Sequence, residues 1–444
     1  MKKNVVIIMA LYLGFQILEA SYSSKPSSNG YAASSNVAAR GSLPSALQTQ
    51  VGILRPREDF VQDVLGISEP RFGSTKDQRS IFDRICQENF FNAGNFRARS
   101  LAELRHQHKD SSIIRGSFNI IEGDSPCLAG HEAMYARLDI GSLQASLGRL
   151  CQSRGKRLTV MVASNLNCLE TVSQYDVPGD ITRYIFDRTQ GPAASISAAP
   201  GALLRNYFIN HPASHTDPGH QINLLDDLVS ALPIISVNNG YLKLPNAVAT
   251  LNRVVEFFEL NNSMIKVGVH TDITVSHGLT SGSSHYLLTG NRPLINQIFC
   301  AALDIGQGTN ECSLGAENIA RLLLLAQIEA TIYAAAAENT EILIIPLLGC
   351  GVFGNKPEWI VDALEGCARL ITASGMCVVL NVFDKNSLDQ KVRNRLTALA
   401  RGLRGSYLTY VNTPLRVKNL CTGNDLSIDL NVHGNVFTDL EKAN

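Results

Sequence analysis

Apolar and polar positions along the chain predict helices and strands in alternation. Glu341 to Leu348 is a β-rich run that is apolar on both faces, which is typical of a parallel strand covered by helices on each side. Beyond Pro357, apolar residues recur at helical spacing, and Met376 to Phe383 is a second apolar run. These segments predict a βαβ unit.

The same alternation extends through the earlier part of the chain. We predict helices at 141–153, 221–232, 246–260 and 316–338, and strands at 112–121, 157–164, 264–275 and 294–303. Residues 78–108 have a helical pattern that mixes charged with apolar positions. Strands separated by helices favour an α/β class of fold, in which a mixed, mostly parallel sheet lies between helices in three layers, α/β/α.

A glycine-rich loop joins the strand at 341–348 to the helix that follows. Gly349, Gly351 and Gly354 remove side chains where backbone N–H groups must approach phosphate oxygens, and the helix N-terminus adds its partial positive charge. Asn355 is placed to cap that helix. The sequence therefore predicts a loop that holds a diphosphate.

Two other interpretations of this loop stay open. The three glycines also match G-x-G-x-x-G, the fingerprint of a Rossmann dinucleotide fold. That fingerprint normally opens its domain, with an acidic residue about 20 positions further on. Here Asp384 comes 30 positions after Gly354. The third interpretation is a tight strand-to-helix turn without a ligand.

Composition and charge narrow the classes of partner. With 444 residues and 45% apolar composition, the chain can bury one large core or two ordinary ones. Lys and Arg together number 39, as do Asp and Glu, so we expect neither a nucleic acid nor an anionic membrane as partner. The ten cysteines lack paired spacing and are expected to be buried free thiols. His270, His277 and His285 have no metal-binding pattern, so we expect no metal and no other cofactor.

The first residues match the pattern of a secretory signal peptide. Lys2 and Lys3 precede an apolar stretch from Val5 to Leu18, with a cleavage position after Ala20. An uncleaved membrane anchor is the alternative. We expect a secreted monomer without stable membrane association after cleavage. Free thiols fit an oxidising compartment poorly, so the final compartment stays open.

The patterns divide the chain into five parts. We predict the signal peptide at 1–20, a flexible linker at 21–75, a helical N-terminal extension at 76–157, a ligand-binding α/β domain at 158–415 and a C-terminal tail at 416–444. The linker prediction rests on a stretch rich in Ser, Ala, Asn and Gly with almost no bulky apolar residues.

Four segments, taken in order, resemble the macrodomain superfamily, in particular its divergent branch related to poly(ADP-ribose) glycohydrolase and to effector macrodomains of the MavL type. The segments are LTVMVASNLNCLE (158–170), DRTQGPA (187–193) with RNYF (205–208), QIFCAAL (297–303) with QIEAT (327–331), and GCGVFGN (349–355) with VVLNVFDKNS (378–387). The resemblance spans about 230 residues and implies a macrodomain-like fold that binds ADP-ribose. The first loop departs from the family, because it lacks the run of glycines common in simpler macrodomains.

The resemblance also implies roles for individual residues. Asn165, in the turn after a strand, would hold the distal ribose. Phe353 would cover that ribose or pack under its loop, and Phe383 would stack on adenine or be buried in the core. Asp124 is a candidate for a further adenine contact. The diphosphate would be bound by two loops, through Gln190, Gly191, Pro192, Ala193, Gly349, Cys350, Gly351, Val352, Phe353 and Gly354.

Hydrolysis of an ADP-ribosyl bond needs a positioned water and a group that takes or supplies a proton, so carboxylates are the natural candidates. Glu329 stands on a helix that is apolar almost all round, and must be paired, line a cleft or have a raised pKa. A structural bond to Arg321 or to the backbone is the alternative. Glu311 and Asp187 are the other catalytic candidates, unless they are only a solvated charge or a turn residue.

We therefore expect the chain to bind ADP-ribose or an ADP-ribosylated protein, and to act as an ADP-ribosylhydrolase on that protein. A non-catalytic reader of ADP-ribosylated proteins is the first alternative, and a Rossmann-type NAD-dependent oxidoreductase is the second. The signal peptide suggests action outside the producing cell, as an effector delivered to a host cell, which is an argument by analogy.

Overall fold

The computed structural model describes residues 52–54, 60–66, 68–69, 76–108, 116–122, 140–171, 173–187, 189–209, 220–279, 285–288, 290–306, 308–382, 385–411, 416–419 and 425–427. The predicted signal peptide, Asp124 and Phe383 lie outside these residues.

A large mixed sheet forms the centre of the molecule. The strands, in chain order, are β1 Gly52–Leu54, β2 Asn95–Ser100, β3 Ser117–Glu122, β4 Arg157–Ala163, β5 Ser236–Asn238, β6 Tyr241–Lys243, β7 Lys266–Thr274, β8 His277–Leu279, β9 His285–Leu287, β10 Leu294–Cys300, β11 Thr340–Pro346, β12 Cys377–Val382, β13 Tyr407–Val411, β14 Arg416–Asn419 and β15 Asp425–Ser427. Within the described ranges, ten of them form one sheet in the order β15-β14-β13-β3-β12-β11-β4-β10-β7-β2. Six neighbours, from β13 to β10, run parallel, and antiparallel strands extend the sheet at both sides.

Helices cover both faces of this sheet. They are α1 Phe60–Leu65, α2 Lys76–Glu88, α3 Leu101–Gln107, α4 Ile140–Ser153, α5 Gln190–Ser197, α6 Ala199–Phe208, α7 Asp226–Ala231, α8 Val248–Asn261, α9 Leu314–Ala337, α10 Pro357–Gly366, α11 Ala368–Ser374 and α12 Gln390–Gly402. A 3-10 helix over Ile181–Phe186 precedes α5.

Two side chains of β10 show which helices lie on each face of the sheet. Gln297 donates to the amide oxygen of Gln144 on α4 (2.8 Å), whereas the thiol of Cys300 meets Thr331 on α9 (3.3 Å). Residues three apart on a strand point to opposite faces. The layer of α4 and α5 therefore lies on one face, and α9 lies on the other with α3, α8, α10 and α11 packed against it. The predicted three-layer α/β/α class with a mixed, mostly parallel sheet is confirmed.

The long helix α9 is the centre of its layer. It is long enough and apolar enough to cross a membrane by length and composition alone, and 67% of its most apolar window is buried inside the protein. Apolar residues occur almost all round it because the sheet covers one side and neighbouring helices cover much of the rest.

The N-terminal segment differs from the predicted linker at 21–75. Phe60 and Leu65 of α1 are buried, in a second apolar core that α1 and α2 share with the 3-10 helix, α5 and α6. The predicted boundaries at 157 and 415 also differ from the fold. β2 and β3 are strands of the main sheet, and β14 and β15 continue it beyond β13.

Edge position explains why β2 was not predicted. Residues 78–108 form α2 and α3 with β2 between them, and the β2 sequence NFRARS is mostly exposed or half-buried. An edge strand can place charged side chains such as Arg97 in solvent, so it lacks the apolar signal of a buried strand. The helix predicted at 221–232 is likewise shorter, because only Asp226–Ala231 is helical.

Candidate functional site

Two neighbouring strands diverge at the carboxyl edge of the sheet. β4 and β11 are paired from Arg157 and Thr340 as far as Val160 and Ile344. Beyond that point β4 stays paired with β10, and β11 stays paired with β12. A crevice outside the carboxyl ends of parallel strands is the usual ligand position in open α/β sheets. We call the space between these two strand ends the β4–β11 crevice.

The start of α5 is fixed at this crevice by the side chain of Gln190. Its Oε1 accepts a hydrogen bond from the backbone N–H of Ala163 (2.7 Å), and its Nε2 donates to the carbonyl of Met161 (2.9 Å). The side chain thus occupies the place that a paired strand would take beside the end of β4. A Cβ on Gly191 would lie 1.8 Å from the carbonyl oxygen of Ala163, so only glycine permits this approach.

The glycine-rich loop follows β11, the other strand of the crevice. Gly349 has a φ of 73°, and a Cβ there would lie 2.3 Å from the Cβ of Ala302. The backbone N–H of Ile305 donates to the carbonyl of Phe353 (3.1 Å), so the loop leans on the segment after β10. The predicted diphosphate segments at 190–193 and at 349–354 therefore lie beside the carboxyl ends of β4 and β11, which are neighbouring strands.

Asn355 was predicted to cap α10, but its side chain binds the backbone of the loop instead. Its Nδ2 donates to the carbonyls of Leu303 (2.8 Å) and Phe353 (3.2 Å). Lys356 is the N-cap residue of α10, and its side chain makes no capping bond to the helix. The buried amide therefore braces the loop from below, because both carbonyls belong to segments that meet there.

The tip of the glycine-rich loop faces solvent. A Cβ on Gly351 would meet no atom within 4 Å, and Val352 is 56% exposed. Cys350 is half-buried, and burial raises the pKa of its thiol to about 12, so it is neutral at ordinary pH. Phe353 lies with its ring centre 5.7 Å from that of Tyr241. The exposed backbone of the tip is free to meet a ligand.

The turn after β4 brings Asn165 to the same region. Asn165 is buried, and its Nδ2 donates to the hydroxyl of Thr171 (2.7 Å). The carbonyl of Thr171 accepts from the hydroxyl of Tyr241 (2.7 Å), and Tyr241 in turn packs against Phe353. Tyr241 therefore connects the Asn165 turn to the glycine-rich loop.

Glu170 ends this turn and lies against the start of α5. It was not among the site residues predicted from the sequence. A Cβ on Gly191 would lie 2.8 Å from its Oε2, and the hydroxyl of Ser195 lies 3.4 Å from its Oε1. Its backbone N–H donates to the hydroxyl of Tyr184 (3.1 Å). Glu170 is the single acid in the segment 158–170, which is the signal that could have drawn attention to it.

The environment of Glu170 favours the protonated carboxyl group. Part of the residue stays accessible, yet the surrounding protein desolvates the carboxyl, and this burial raises the pKa of Glu170 well above its usual range. The positive charge of Arg205 acts in the opposite direction, and the negative charge of Asp187 adds to the rise. The structure thus brings Glu170 and Asp187 together beside Gly191.

Asp187 lies directly before α5. It is half-buried, and its Oδ1 accepts from the backbone N–H of Thr189 (2.8 Å) and from the hydroxyl of Thr189 (2.7 Å). These bonds form a local turn that leads the chain into the helix. Of the three predicted catalytic acids, Asp187 is the one that lies next to the start of α5.

The buried side chain of Arg205 binds the backbone of the turn that contains Asn165. Arg205 on α6 donates through Nε to the carbonyl of Cys168 (3.3 Å), and its guanidinium carbon lies 3.7 Å from the ring centre of Phe299. Burial lowers the pKa of Arg205 to about 10. Cys168 has a φ of 60°, which is rare for a residue with a side chain, so the bond from Arg205 holds a strained carbonyl in place.

Glu329 does not lie at the crevice, and its predicted place near the scissile bond is corrected. Both of its oxygens accept from the guanidinium of Arg105 on α3, at 2.8 and 2.7 Å. Arg321, the partner considered from sequence, pairs with Asp362 instead (3.0 Å). The packing of α3 on α9 therefore explains a carboxylate in the apolar central part of that helix.

Glu311 is exposed, in the segment between β10 and α9. That segment starts at the carboxyl edge of the sheet, so Glu311 lies on the same side of the molecule as the crevice. Its neighbour Asn310 is buried and accepts from the backbone N–H of Leu244 (2.8 Å).

The remaining reactive groups of the described residues are thiols and potential metal ligands. Eight cysteines in the described ranges are free thiols, and of these Cys312 is exposed and Cys350 half-buried, while the others are buried. In those same ranges, no group of three or more His, Cys, Asp or Glu residues is placed to hold a metal ion.

Comparisons with known proteins give weak similarities. No family model and no curated protein matches the sequence. Among solved structures, poly(ADP-ribose) glycohydrolase from Thermomonospora curvata is similar at 13% identity and a TM-score of 0.35, over 72% of this chain and 88% of that chain. Poly(ADP-ribose) glycohydrolase from Deinococcus radiodurans in complex with ADP-ribose is similar at 14% identity and a TM-score of 0.37, over 70% and 94%.

Proposed function

We propose that the β4–β11 crevice binds ADP-ribose and that the protein releases ADP-ribose from a modified protein. The observation that supports this best is the arrangement of two backbone loops on neighbouring strand ends. Gly191 opens α5 beside β4, and Gly351 lies at the exposed tip of the loop after β11. Backbone amides and a helix N-terminus can bind a diphosphate without a cluster of lysines. This fits a chain with no net charge.

The sequence resemblance supports the same ligand. The two segments that resemble macrodomain phosphate loops are also the ones that lie beside the carboxyl ends of the neighbouring strands β4 and β11. The segment with the ribose-binding asparagine, around Asn165, is connected to the second loop through Tyr241 and Phe353. An affiliation with the MavL type rests on the sequence motifs alone. Export from the producing cell, delivery to a host and a monomeric state are likewise proposals from the sequence.

The acids beside α5 favour a hydrolase over a reader. A reader needs only the loops, whereas hydrolysis needs groups that take and supply protons. Asp187 lies at the start of α5, in reach of water, and a second carboxyl group lies beside it. Glu311 stays a further candidate on the same side of the molecule.

Calorimetric titration of the full chain tests the ligand. ADP-ribose should bind, and NAD should bind more weakly, whereas a Rossmann oxidoreductase would prefer NAD. Gly351→Ala is the informative variant, because its methyl group meets no protein atom within 4 Å and so leaves the loop intact. We expect the methyl to obstruct the phosphate and to raise the Kd for ADP-ribose about tenfold or more.

Gly402→Ala is the matched control, since its Cβ also meets no atom within 4 Å and it lies at the end of α12. Its Kd should equal that of the unmodified protein. Equal Kd values for all three proteins, or no binding of ADP-ribose at all, would contradict the proposed site.

A further inference from the structure

We propose that Glu170 is a catalytic residue of this hydrolysis, donating the proton that the departing group of the modified protein needs. The inference rests on the proposed function and adds to it a residue that the sequence motifs did not identify. Its basis is the position of the carboxyl group between the two parts of the crevice.

Glu170 joins the predicted ribose site to the predicted phosphate site. It comes directly before Thr171, whose hydroxyl binds the side chain of Asn165 (2.7 Å). On its other side, the missing Cβ of Gly191 lets its Oε2 approach the first turn of α5. A ligand with its diphosphate at α5 and its distal ribose at Asn165 would therefore have its anomeric carbon near this carboxyl group.

The carboxyl group is held in place while part of the residue stays open. The hydroxyl of Ser195 lies 3.4 Å from Oε1, and the backbone N–H of Glu170 donates to Tyr184 (3.1 Å). The residue itself is half-buried, in contrast to its fully buried neighbours Cys168 and Arg205. A partly accessible residue whose carboxyl group is hydrogen-bonded beside a ligand crevice has the position that general acid catalysis requires.

Charged and titratable groups face Glu170 from every side. They are Cys168 on its own turn, Tyr184 on the 3-10 helix, Asp187 before α5, Arg205 on α6 and Tyr241 on β6. Arg205 is the single cation of this set, and it is also bonded to Cys168 and His270. Burial outweighs its attraction, so the pKa of Glu170 is raised and the proton is retained to higher pH.

The reaction balances with water as the only co-reactant. The bond between the anomeric carbon and the oxygen or nitrogen of the modified side chain breaks, and the proton of Glu170 goes to that atom. A water molecule forms the new bond to the anomeric carbon, and its proton goes to the carboxylate of Asp187. Solvent then restores the proton to Glu170 and removes the one on Asp187. Two carboxyl groups with these two tasks are the common arrangement in glycoside hydrolysis.

Glu170→Gln and Glu329→Gln form the decisive pair of variants. Both replace a carboxyl group by an amide of equal size, but Glu329 belongs to the ion pair with Arg105. We expect Glu170→Gln to bind ADP-ribose within about threefold of the unmodified protein and to lose release of ADP-ribose from an automodified ADP-ribosyltransferase by about 10² to 10⁴. Glu329→Gln should retain its turnover within about threefold.

The pH profile separates a catalytic from a structural role. Turnover of the unmodified protein should fall as pH rises through the raised pKa of Glu170, because the acid must be protonated, and Glu170→Gln should lose this dependence. Turnover of Glu170→Gln within threefold of the unmodified protein overturns the inference. Loss of ADP-ribose binding in this variant also overturns it, since the role would then be structural. Failure of the unmodified protein to bind ADP-ribose would instead reject the proposed function.

Discussion

Arg205 donates a hydrogen bond to Nδ1 of His270 across 3.0 Å, and both side chains are buried. Nε2 of His270 lies 2.7 Å from the carbonyl of Ala93, so Nε2 carries the hydrogen and Nδ1 accepts. Burial, and then the charge of Arg205, lower the pKa of His270 well below its usual range. The imidazole is therefore neutral at ordinary pH, and it helps Arg205 to hold the turn beneath the proposed ligand site.

This pair predicts an acid-sensitive stability. Below a pH of about 6.5 the unfolded chain binds a proton at His270 that the folded chain does not. The free energy of unfolding should therefore fall as pH drops from there, by about 1.4 kcal/mol per pH unit from this group, until the lowered pKa is reached. Urea denaturation between pH 7.5 and 4.5 measures the slope.

His270→Asn is the comparison for that experiment, because asparagine does not titrate and can still accept from Arg205. The variant should be less stable at pH 7, and its curve should be flatter than that of the unmodified protein below pH 6.5. Glu170 contributes to the pH dependence of the free energy of unfolding with the opposite sign, because its pKa is raised. This contribution is common to both proteins, so the difference between their curves isolates His270. Parallel curves would show that His270 is not the group responsible.

Gln190→Met should detach the first turn of α5 from β4. Methionine has a similar length but cannot bond to the N–H of Ala163 or the carbonyl of Met161. Leaving these two backbone groups without partners should lower the free energy of unfolding by about 1 to 3 kcal/mol and weaken ADP-ribose binding. Thermal melting and calorimetry check the two effects. Gln87→Met, at an exposed position of α2, is the control and should change neither the free energy of unfolding nor the Kd for ADP-ribose. An unchanged Kd in Gln190→Met would contradict the role of α5 in binding.

Glu69→Gln should loosen the N-terminal segment. The buried carboxylate accepts from the backbone N–H groups of Ile181 (2.6 Å) and Thr182 (2.9 Å) and from the hydroxyl of Tyr207 (3.0 Å). An amide has one acceptor oxygen where the carboxylate has two, so at least one of these donors loses its partner. We expect a loss of about 1 to 3 kcal/mol and faster proteolysis of the segment around residue 69. Glu256→Gln, at an exposed position of α8 far from this segment in sequence, serves as control. Equal proteolysis rates in Glu69→Gln and the unmodified protein would refute the prediction.

Local patterns predicted the central part of the fold. The runs at 157–164, 294–303 and 341–348 correspond to β4, β10 and β11, since buried parallel strands are apolar on both faces. The glycine-rich loop at 349–354 was expected at the carboxyl edge of the sheet for a related reason, because a loop that follows a parallel strand begins at that edge.

Contacts between distant residues account for what the sequence did not predict. The partner of Glu329 could not be identified from the sequence because Arg105 is 224 residues away, on a helix whose packing no local pattern reveals. Gln190 and Glu170 owe their positions to the approach of α5 to β4, which depends on the fold as a whole. Residues 60–65 were included in a linker because a six-residue helix has too few apolar positions to show a period.

The central position of β3 has a consequence for the order of events during synthesis. β3 ends at Glu122 but pairs on its two sides with β12 and with β13, which ends at Val411. At about 5 to 20 residues per second, a ribosome needs about 15 to 60 s to make the roughly 290 residues between them. The apolar strand β3 therefore waits for β12 and β13 until the ribosome has made these residues, and exposed apolar strands of this kind are where nascent chains depend on chaperones.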